Sequence, residues 1–271
     1  MEPKGIPNVS PLTAARQMVD PPADWKFAGT ASYYDGVKAT AKYLANEEGA
    51  QTFCLMYLPT HFGTEIEQGV KDAVEEVGAE FGTETKHKPD ESDFTGALGK
   101  LREAGCDTVG LALGVGQTIN AVATAHKMGL EDMMFLTSSA GFHTVVAKGL
   151  AQQGVMGGLY AGAGWQDLEA RMDTPEVAQW VKEYTEATGE TFPSTGALLG
   201  RSAAEIMVRA LEKAGPEPTR EKFIKAMESL DFPDEVAGNH VQMSADDHVA
   251  ASEIYVSVVD NGSWKLVQTI E

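Results

Sequence analysis

The chain has 271 residues, which is enough for one large domain or two modest ones. Its 21 basic and 40 acidic side chains give a formal net charge of −19. A nucleic acid or an anionic membrane surface is therefore disfavoured as the main partner, because both are recruited by basic patches. The hydrophobic fraction of 43% is typical of a folded protein and argues against disorder.

The sequence predicts neither a membrane-spanning helix nor a signal peptide. A membrane-spanning helix needs about 18 consecutive apolar residues, and every apolar stretch here is interrupted sooner, so we expect no membrane insertion. Residues 1–7 lack the basic and apolar regions of a signal peptide, so none is predicted there.

The two cysteines, Cys54 and Cys106, are too few for a disulfide scaffold or a zinc site. Cys54 lies in a continuous apolar run, where a buried free thiol is the usual state. A disulfide would require the two segments to be neighbouring strands, and we expect free thiols instead.

Strands and helices alternate through the first two-thirds of the chain. The apolar pattern predicts strands at residues 6–10, 52–58, 79–85, 108–113, 133–136 and 155–160. It predicts helices at residues 36–45, 64–77, 93–104, 117–128 and 142–150, with Ser92 as a candidate N-cap. Apolar strands separated by helices indicate a parallel sheet covered on both faces. Ligands on such sheets gather at the carboxyl ends of the strands, where loops 59–63 and 138–141 would lie.

The last third of the chain has a different pattern. Helices are predicted at residues 175–188, 197–214 and 220–230. After Gly238 the apolar residues alternate with polar ones in segments 240–243, 254–259 and 264–267. Asn261 and Gly262 form the turn that is typical of a two-residue β-hairpin. We therefore expect an antiparallel hairpin added to an α/β body.

The motifs of enzymes and cofactor sites are missing. Gly110, Gly114 and Gly116 follow a strand but do not match the dinucleotide fingerprint, and no Walker lysine is present. The acidic pair and histidine at 246–248 are adjacent in sequence and would not converge on one ion. No nucleophile elbow occurs. We expect no catalytic residue, no metal site and no cofactor.

Several phrases follow one another in a characteristic order over nearly the whole chain. They lie at residues 5–11, 36–44, 57–63, 92–94, 104–107, 154–155, 200–215, 238–248 and 260–264. Their order and spacing resemble the periplasmic solute-binding proteins of ABC transporters, of the branched-chain amino-acid (Leu/Ile/Val) type with the type I fold.

The resemblance implies an α/β protein with two lobes, each a parallel sheet with helices on both faces. Residues 36–192 and 251–271 would form the C-terminal-type lobe. Residues 1–35 and 193–250 would form part of the N-terminal-type lobe, which would be incomplete because the family pattern begins before the phrase at residue 5. Such a truncated lobe is expected to be marginal alone or to be completed by another chain.

The resemblance also implies a function. The chain would bind a small solute between its lobes and deliver it to the membrane permease of an ABC transporter, in the periplasm. The alternative is a ligand-sensing module of the same fold, such as an amide sensor or a receptor effector domain.

Where a phrase of this sequence aligns with the family pattern, the resemblance also implies which residues bind the ligand. Ser10, Thr13 and Ala14 match a segment that holds a ligand carboxylate, and N–H and O–H donors suit an anion. Phe62 matches a position where an aromatic ring packs on the ligand. Trp165 is a further candidate for the cleft lining, and packing in the core is an equally good interpretation of it.

Other candidate positions depart from the family pattern. Gly114 and Val115 stand where a second aromatic residue is common. Ser138 and Ser139 occupy a loop that commonly supplies an acidic residue for the ligand's ammonium group. Because a desolvated ammonium group needs a counter-charge, the ligand is predicted to be an amino acid, amide, or organic or aromatic acid, and not necessarily leucine. Tyr34, with its neighbour Tyr33, either lines the cleft or packs in the core.

Overall fold

The computed structural model of the protein describes residues 5–270 and divides the chain into two compact units. The first unit contains the chain up to Ser32 together with Gly164–Glu253. The second unit contains Tyr33–Ala163 and Ile254–Ile270. Residues 164–192, which were expected in the second lobe, therefore lie in the first unit.

The described residues form strands and helices in alternation. The strands are β1 (Asn8–Val9), β2 (Lys26–Phe27), β3 (Thr52–Tyr57), β4 (Glu80–Lys86), β5 (Thr108–Ala112), β6 (Met134–Ser138), β7 (Leu159–Ala163), β8 (Asp231–Asp234), β9 (Asn239–Gln242), β10 (Ile254–Asp260) and β11 (Ser263–Ile270). The helices are α1 (Tyr33–Glu47), α2 (His61–Val77), α3 (Thr95–Glu103), α4 (Val115–Lys127), α5 (Thr144–Gln152), α6 (Pro175–Thr188), α7 (Thr195–Ala214) and α8 (Arg220–Met227).

The second unit is built on a seven-stranded sheet with the strand order β11-β10-β7-β6-β5-β3-β4. The strands β3 to β7 are parallel to one another, and the hairpin β10–β11 runs antiparallel beside β7. All residues of β5 and β7 are buried, as expected for strands covered on both faces. This confirms the predicted α/β fold with a mostly parallel sheet and an antiparallel hairpin.

Two glycines let helix α1 lie directly on strand β7. A Cβ at Gly36 would come 2.7 Å from the carbonyl oxygen of Gly162. A Cβ at Gly162 would come 2.5 Å from the hydroxyl of Thr40 on the same helix. The small side chains of β7 therefore reflect the close approach of a helix.

The first unit has two small sheets and three helices among the described residues. Strands β1 and β2 pair in parallel, and β8 and β9 form an antiparallel pair. Its core contains Phe27 of β2, Ile206 of α7 and Met227 of α8, all nearly inaccessible to solvent. Apolar packing between β2 and helices α7 and α8 thus organises this unit.

Three local predictions are wrong. Strand β7 begins at Leu159 and not at residue 155, because Gly158 adopts a φ of +83° directly before it. Helix α3 begins at Thr95, so its N-cap is Phe94 and not Ser92, and no side chain caps it; the amide of Thr95 donates to the side chain of Asp93. Helix α8 ends at Met227, before the strand β8 that the sequence pattern did not reveal.

The expectation of free thiols is also wrong. Cys54 and Cys106 form a disulfide, with 5.8 Å between their Cα atoms. Strands β3 and β5 are neighbours, and Phe53 pairs with Thr108. Cys54 itself pairs with Val109, and Cys106 lies in the turn directly before β5, from where its side chain reaches Cys54.

Candidate functional site

The carboxyl ends of strands β3 to β7 meet at one edge of the second unit's sheet, because these strands are parallel. Backbone hydrogen bonds tie the loops at this edge to one another. The amide of His87 donates to the carbonyl of Tyr57 at 2.9 Å, and the amide of Leu58 donates to the carbonyl of Ala112 at 3.1 Å. The candidate residues of the second unit can be located relative to this edge.

Phe62 lies in the first turn of α2, after β3. The side chain of Thr60 caps this helix by accepting from the Gly63 amide. The ring of Phe62 meets Tyr33 edge-to-face, with 5.1 Å between centroids, and both rings are partly buried. The structure therefore brings two of the aromatic candidates together.

Tyr34 has a different environment from its neighbour Tyr33. Its hydroxyl donates to Asp72 at 2.6 Å, and Lys38 lies over its ring. Burial, reinforced by the hydrogen bond to Asp72, raises the pKa of the Tyr34 hydroxyl. Tyr34 thus anchors α1 to α2.

The chain passes from β5 into α4 at Gly114 and Val115, and Val115 is the first residue of the helix; we call this junction the Gly114–Val115 turn. Gly114 is the N-cap of α4, and its amide donates to the side-chain oxygen of Gln117 at 3.2 Å. The amide nitrogen of Gln117 in turn donates to the carbonyls of Lys88 and Glu91, at 2.8 and 3.1 Å. Sequence reasoning did not identify Gln117, because its partners lie nearly 30 residues earlier.

Ser138 and Ser139 follow one another at the end of β6, and both are buried. The hydroxyl of Ser138 accepts from the amide of Ala140 at 3.2 Å. The hydroxyl of Ser139 is buried and makes no hydrogen bond within the described part of the chain. His143 follows this turn, and burial lowers the pKa of its imidazole.

In the first unit, Ser10 directly follows β1 and adopts a φ of +43°, which is uncommon for a residue with a side chain. Its amide donates to the carbonyl of Phe27 at 2.9 Å. The hydroxyls of Ser10 and Thr30 are both buried and unpartnered among residues 5–270. Both residues line a cavity of about 120 Å³ beside helix α7. Thr30 was not identified from the sequence.

The other candidates of the first unit differ in their exposure to solvent. Thr13 is exposed, and its hydroxyl accepts from the amide of Ala15 at 3.3 Å. Ala14 is buried, at 5% exposure. Trp165 is 3% exposed, so its side chain is part of the packed interior in this conformation.

Two further features of the described residues bear on the site. Between residues 5 and 270, no group of three or more His, Cys, Asp or Glu side chains is arranged to hold a metal ion. None of the described helices has the length and hydropathy that crossing a membrane requires.

Comparison with known structures identifies close matches in fold. A branched-chain amino acid ABC transporter protein from Thermus thermophilus with bound valine matches with a TM-score of 0.85 at 21% identity, over 98% of this chain and 72% of that chain. A fatty acid ABC transporter substrate-binding protein from Thermomonospora curvata gives a TM-score of 0.79 at 21% identity, over 92% of this chain and 65% of that chain.

A third match is an ABC transporter solute-binding protein from Rhodopseudomonas palustris in complex with 3,4-dihydroxybenzoic acid. Its TM-score is 0.75 at 14% identity, over 92% of this chain and 68% of that chain. No curated protein matches the sequence.

The family comparison covers almost the whole sequence. The family model described as periplasmic binding protein matches residues 1–263. This match spans both units and confirms the resemblance drawn from the sequence phrases. The chain therefore belongs to the periplasmic binding protein family.

Proposed function

We propose that the protein binds a small solute, an amino acid, amide, or organic or aromatic acid, and delivers it to the membrane permease of an ABC transporter. The observation that carries this proposal is the pair of buried hydroxyls, Ser10 and Thr30, beside one cavity in the first unit. A buried hydroxyl without a partner costs about 1–3 kcal/mol. A ligand carboxylate or amide oxygen at this cavity would accept from both hydroxyls and recover that cost.

The backbone at Ser10 supports the same interpretation. A positive φ on a residue with a Cβ is strained, and such strain is concentrated at functional sites. A structural role for the hydroxyl would supply a partner within the protein, and among the described residues none is present. We therefore assign Ser10 a role in binding.

Features of the second unit narrow the class of solute. The turn at Ser138 and Ser139 offers hydroxyls and no carboxylate. An ammonium group placed there would lack a counter-charge, which favours an organic acid or amide over an α-amino acid. The edge-to-face pair of Phe62 and Tyr33 offers an apolar surface for the body of such a ligand. The valine, fatty acid and dihydroxybenzoic acid named for the solved neighbours share a carboxyl group with an apolar body.

The disulfide supports a location outside the cytoplasm. Disulfides form and persist in oxidising compartments such as the bacterial periplasm. The bond between Cys54 and Cys106 joins strand β3 to the turn before β5, and both cysteines are buried. We therefore propose that the protein functions in the periplasm.

Isothermal titration with valine, 3,4-dihydroxybenzoic acid and octanoic acid tests the proposal, with Ser10→Gly as the key variant. Glycine relieves the positive φ and removes the unpartnered hydroxyl, so the variant should be as stable as the wild type or more so. Its affinity for a carboxylate should fall at least tenfold, because a hydrogen bond to a charged group contributes about 1.5–3 kcal/mol.

The matched control is Thr191→Ala, which removes an exposed hydroxyl from the same unit. It should leave both affinity and stability unchanged. If none of the three acids binds to the wild type, or if Ser10→Gly binds as tightly as the wild type, the proposed role of this cavity is refuted.

A further inference from the structure

Three polar side chains, those of His87, Glu91 and Gln117, lie beside the Gly114–Val115 turn in the second unit. His87 is nearly inaccessible, with 2% of its side chain exposed. Its Nε2 lies 2.7 Å from the hydroxyl of Thr85, and its Nδ1 lies 2.8 Å from one carboxylate oxygen of Glu91. The ring also meets Phe94 edge-on, with 5.2 Å between centroids. His87 and Glu91 together fix the loop that follows strand β4.

Gln117 connects this loop to the turn. Its side-chain nitrogen donates to the carbonyls of Lys88 and Glu91, and its side-chain oxygen accepts from the amide of Gly114. The other carboxylate oxygen of Glu91 accepts from the Lys88 amide at 3.1 Å. We call His87, Glu91 and Gln117 the loop clasp, because they join the loops after β4 and β5.

Packing alone does not fix the turn. A Cβ added at Gly114 would meet the Gln117 side-chain oxygen at 3.6 Å and no other atom within 4 Å. A Cβ at Gly116 would meet nothing within 4 Å. Gly114 and Gly116 are both exposed, and glycine restricts the backbone little. Two hydrogen bonds hold Gly114: its carbonyl accepts from the amide of Thr118 at 2.8 Å, and its amide donates to the side chain of Gln117. The second is the one that a side-chain substitution can remove.

We propose that His87, Glu91 and Gln117 are positioning residues that hold the Gly114–Val115 turn in the conformation that receives the solute. The inference rests on the proposed function, since it takes Gly114 and Val115, candidates at the carboxyl edge of the second unit's sheet, as residues that contact the solute. The turn lies at the carboxyl end of β5, and preorganising such a loop reduces the conformational entropy that is lost on binding. Loosening the clasp should weaken binding without unfolding the unit.

Two substitutions of Gln117 separate the two halves of the clasp. Gln117→Met has a similar volume and removes every hydrogen bond of the amide. Gln117→Glu keeps an acceptor for the Gly114 amide but loses both bonds to the carbonyls of the β4 loop. Gln152→Met, an exposed site at the end of α5, is the matched control.

Amide hydrogen exchange reads the turn directly. In Gln117→Met, the Gly114 amide should exchange at least tenfold faster than in the wild type. In Gln117→Glu, the Gly114 amide should stay protected while the amides of residues 88–91 exchange faster. The melting temperature should change by only a few degrees in both variants. Unchanged exchange at Gly114 in Gln117→Met would overturn the inference.

Isothermal titration with 3,4-dihydroxybenzoic acid and valine links the turn to binding. The Kd for the tighter probe should rise at least tenfold in Gln117→Met and less in Gln117→Glu, with the control unchanged. A Kd equal to that of the wild type, in a variant whose turn exchanges faster, would show that the clasp has only a structural role. If neither probe binds to the wild type, the proposed function fails, whereas the exchange measurement still decides whether the clasp holds the turn.

Discussion

Removing the disulfide should destabilise the second unit by about 4 kcal/mol. Cys54 and Cys106 are 52 residues apart in sequence. Closing a loop of that length in the unfolded chain removes about 14 cal/mol/K of entropy, which corresponds to about 4 kcal/mol at 25 °C. For a unit of this size, 1 kcal/mol shifts the melting temperature by about 2–4 °C, so the expected decrease is about 8–16 °C.

The assay compares the oxidised wild type, the wild type reduced with a phosphine, and the double variant Cys54→Ala/Cys106→Ala. Urea unfolding followed by amide exchange of β3 and β5 reports on the second unit alone, since both strands belong to it. The double variant should be slightly less stable than the reduced wild type, because both cysteines are buried and their replacement leaves small cavities. Reductant should not affect the double variant.

Two results would refute this reasoning. Titration of two free thiols in the protein isolated from an oxidising compartment would show that the bond does not form. A loss of less than 1 kcal/mol on reduction, with the thiols confirmed as released, would show that the unfolded chain gains little freedom. The loop-closure argument would then not apply to this unit.

Three further predictions follow from individual contacts. Asp234 is buried and accepts from Arg201 at 2.5 Å. Asp234→Ala should therefore destabilise the first unit by about 3–5 kcal/mol in urea unfolding. A loss below 1 kcal/mol would contradict this. Burial lowers the pKa of His143, so the unfolded state binds the proton more readily, and the free energy of unfolding should decrease as the pH falls below about 6.5. His143→Gln should flatten this pH dependence between about pH 5 and 7. An unchanged slope would exclude His143 as its source. Phe62→Leu removes an edge-to-face contact with Tyr33 and should cost about 0.5–1.5 kcal/mol. Since Phe62 is a candidate for packing on the solute, Phe62→Leu should also raise the Kd for 3,4-dihydroxybenzoic acid.

The strands that are buried on both faces could be predicted from the sequence, and the reason is physical. A parallel strand between two helical layers is largely apolar, and β3 and β5 have that composition after their first residue, a threonine in each. The predicted position of strand β7 is displaced because its residues are alanine, glycine and tyrosine as well as leucine. Its small side chains are required by the approach of α1 at Gly36, a tertiary contact that no local pattern reveals.

Strand β8 shows a second limit of local patterns. It contains two aspartates and a proline, residues that are depleted in strands. The buried carboxylate of Asp234 accepts from the amides of Val236 and Ala237 as well as from Arg201 and Ser202. The strand is therefore stabilised by a polar network with helix α7, whose contributing residues lie more than 30 positions earlier in the chain.

The candidate site residues also differ in whether a local sequence pattern could reveal them. Ser10 and Phe62 could be proposed because local phrases of the sequence resemble the family. Thr30 and Gln117 could not, because each becomes informative only through what it lies beside: a cavity shared with Ser10, and carbonyls at positions 88 and 91. A glutamine in the first turn of a helix has many ordinary roles, and its three hydrogen bonds distinguish it from those. The residues that hold a loop in place are thus harder to predict than the residues on the loop, since their contacts run across the fold.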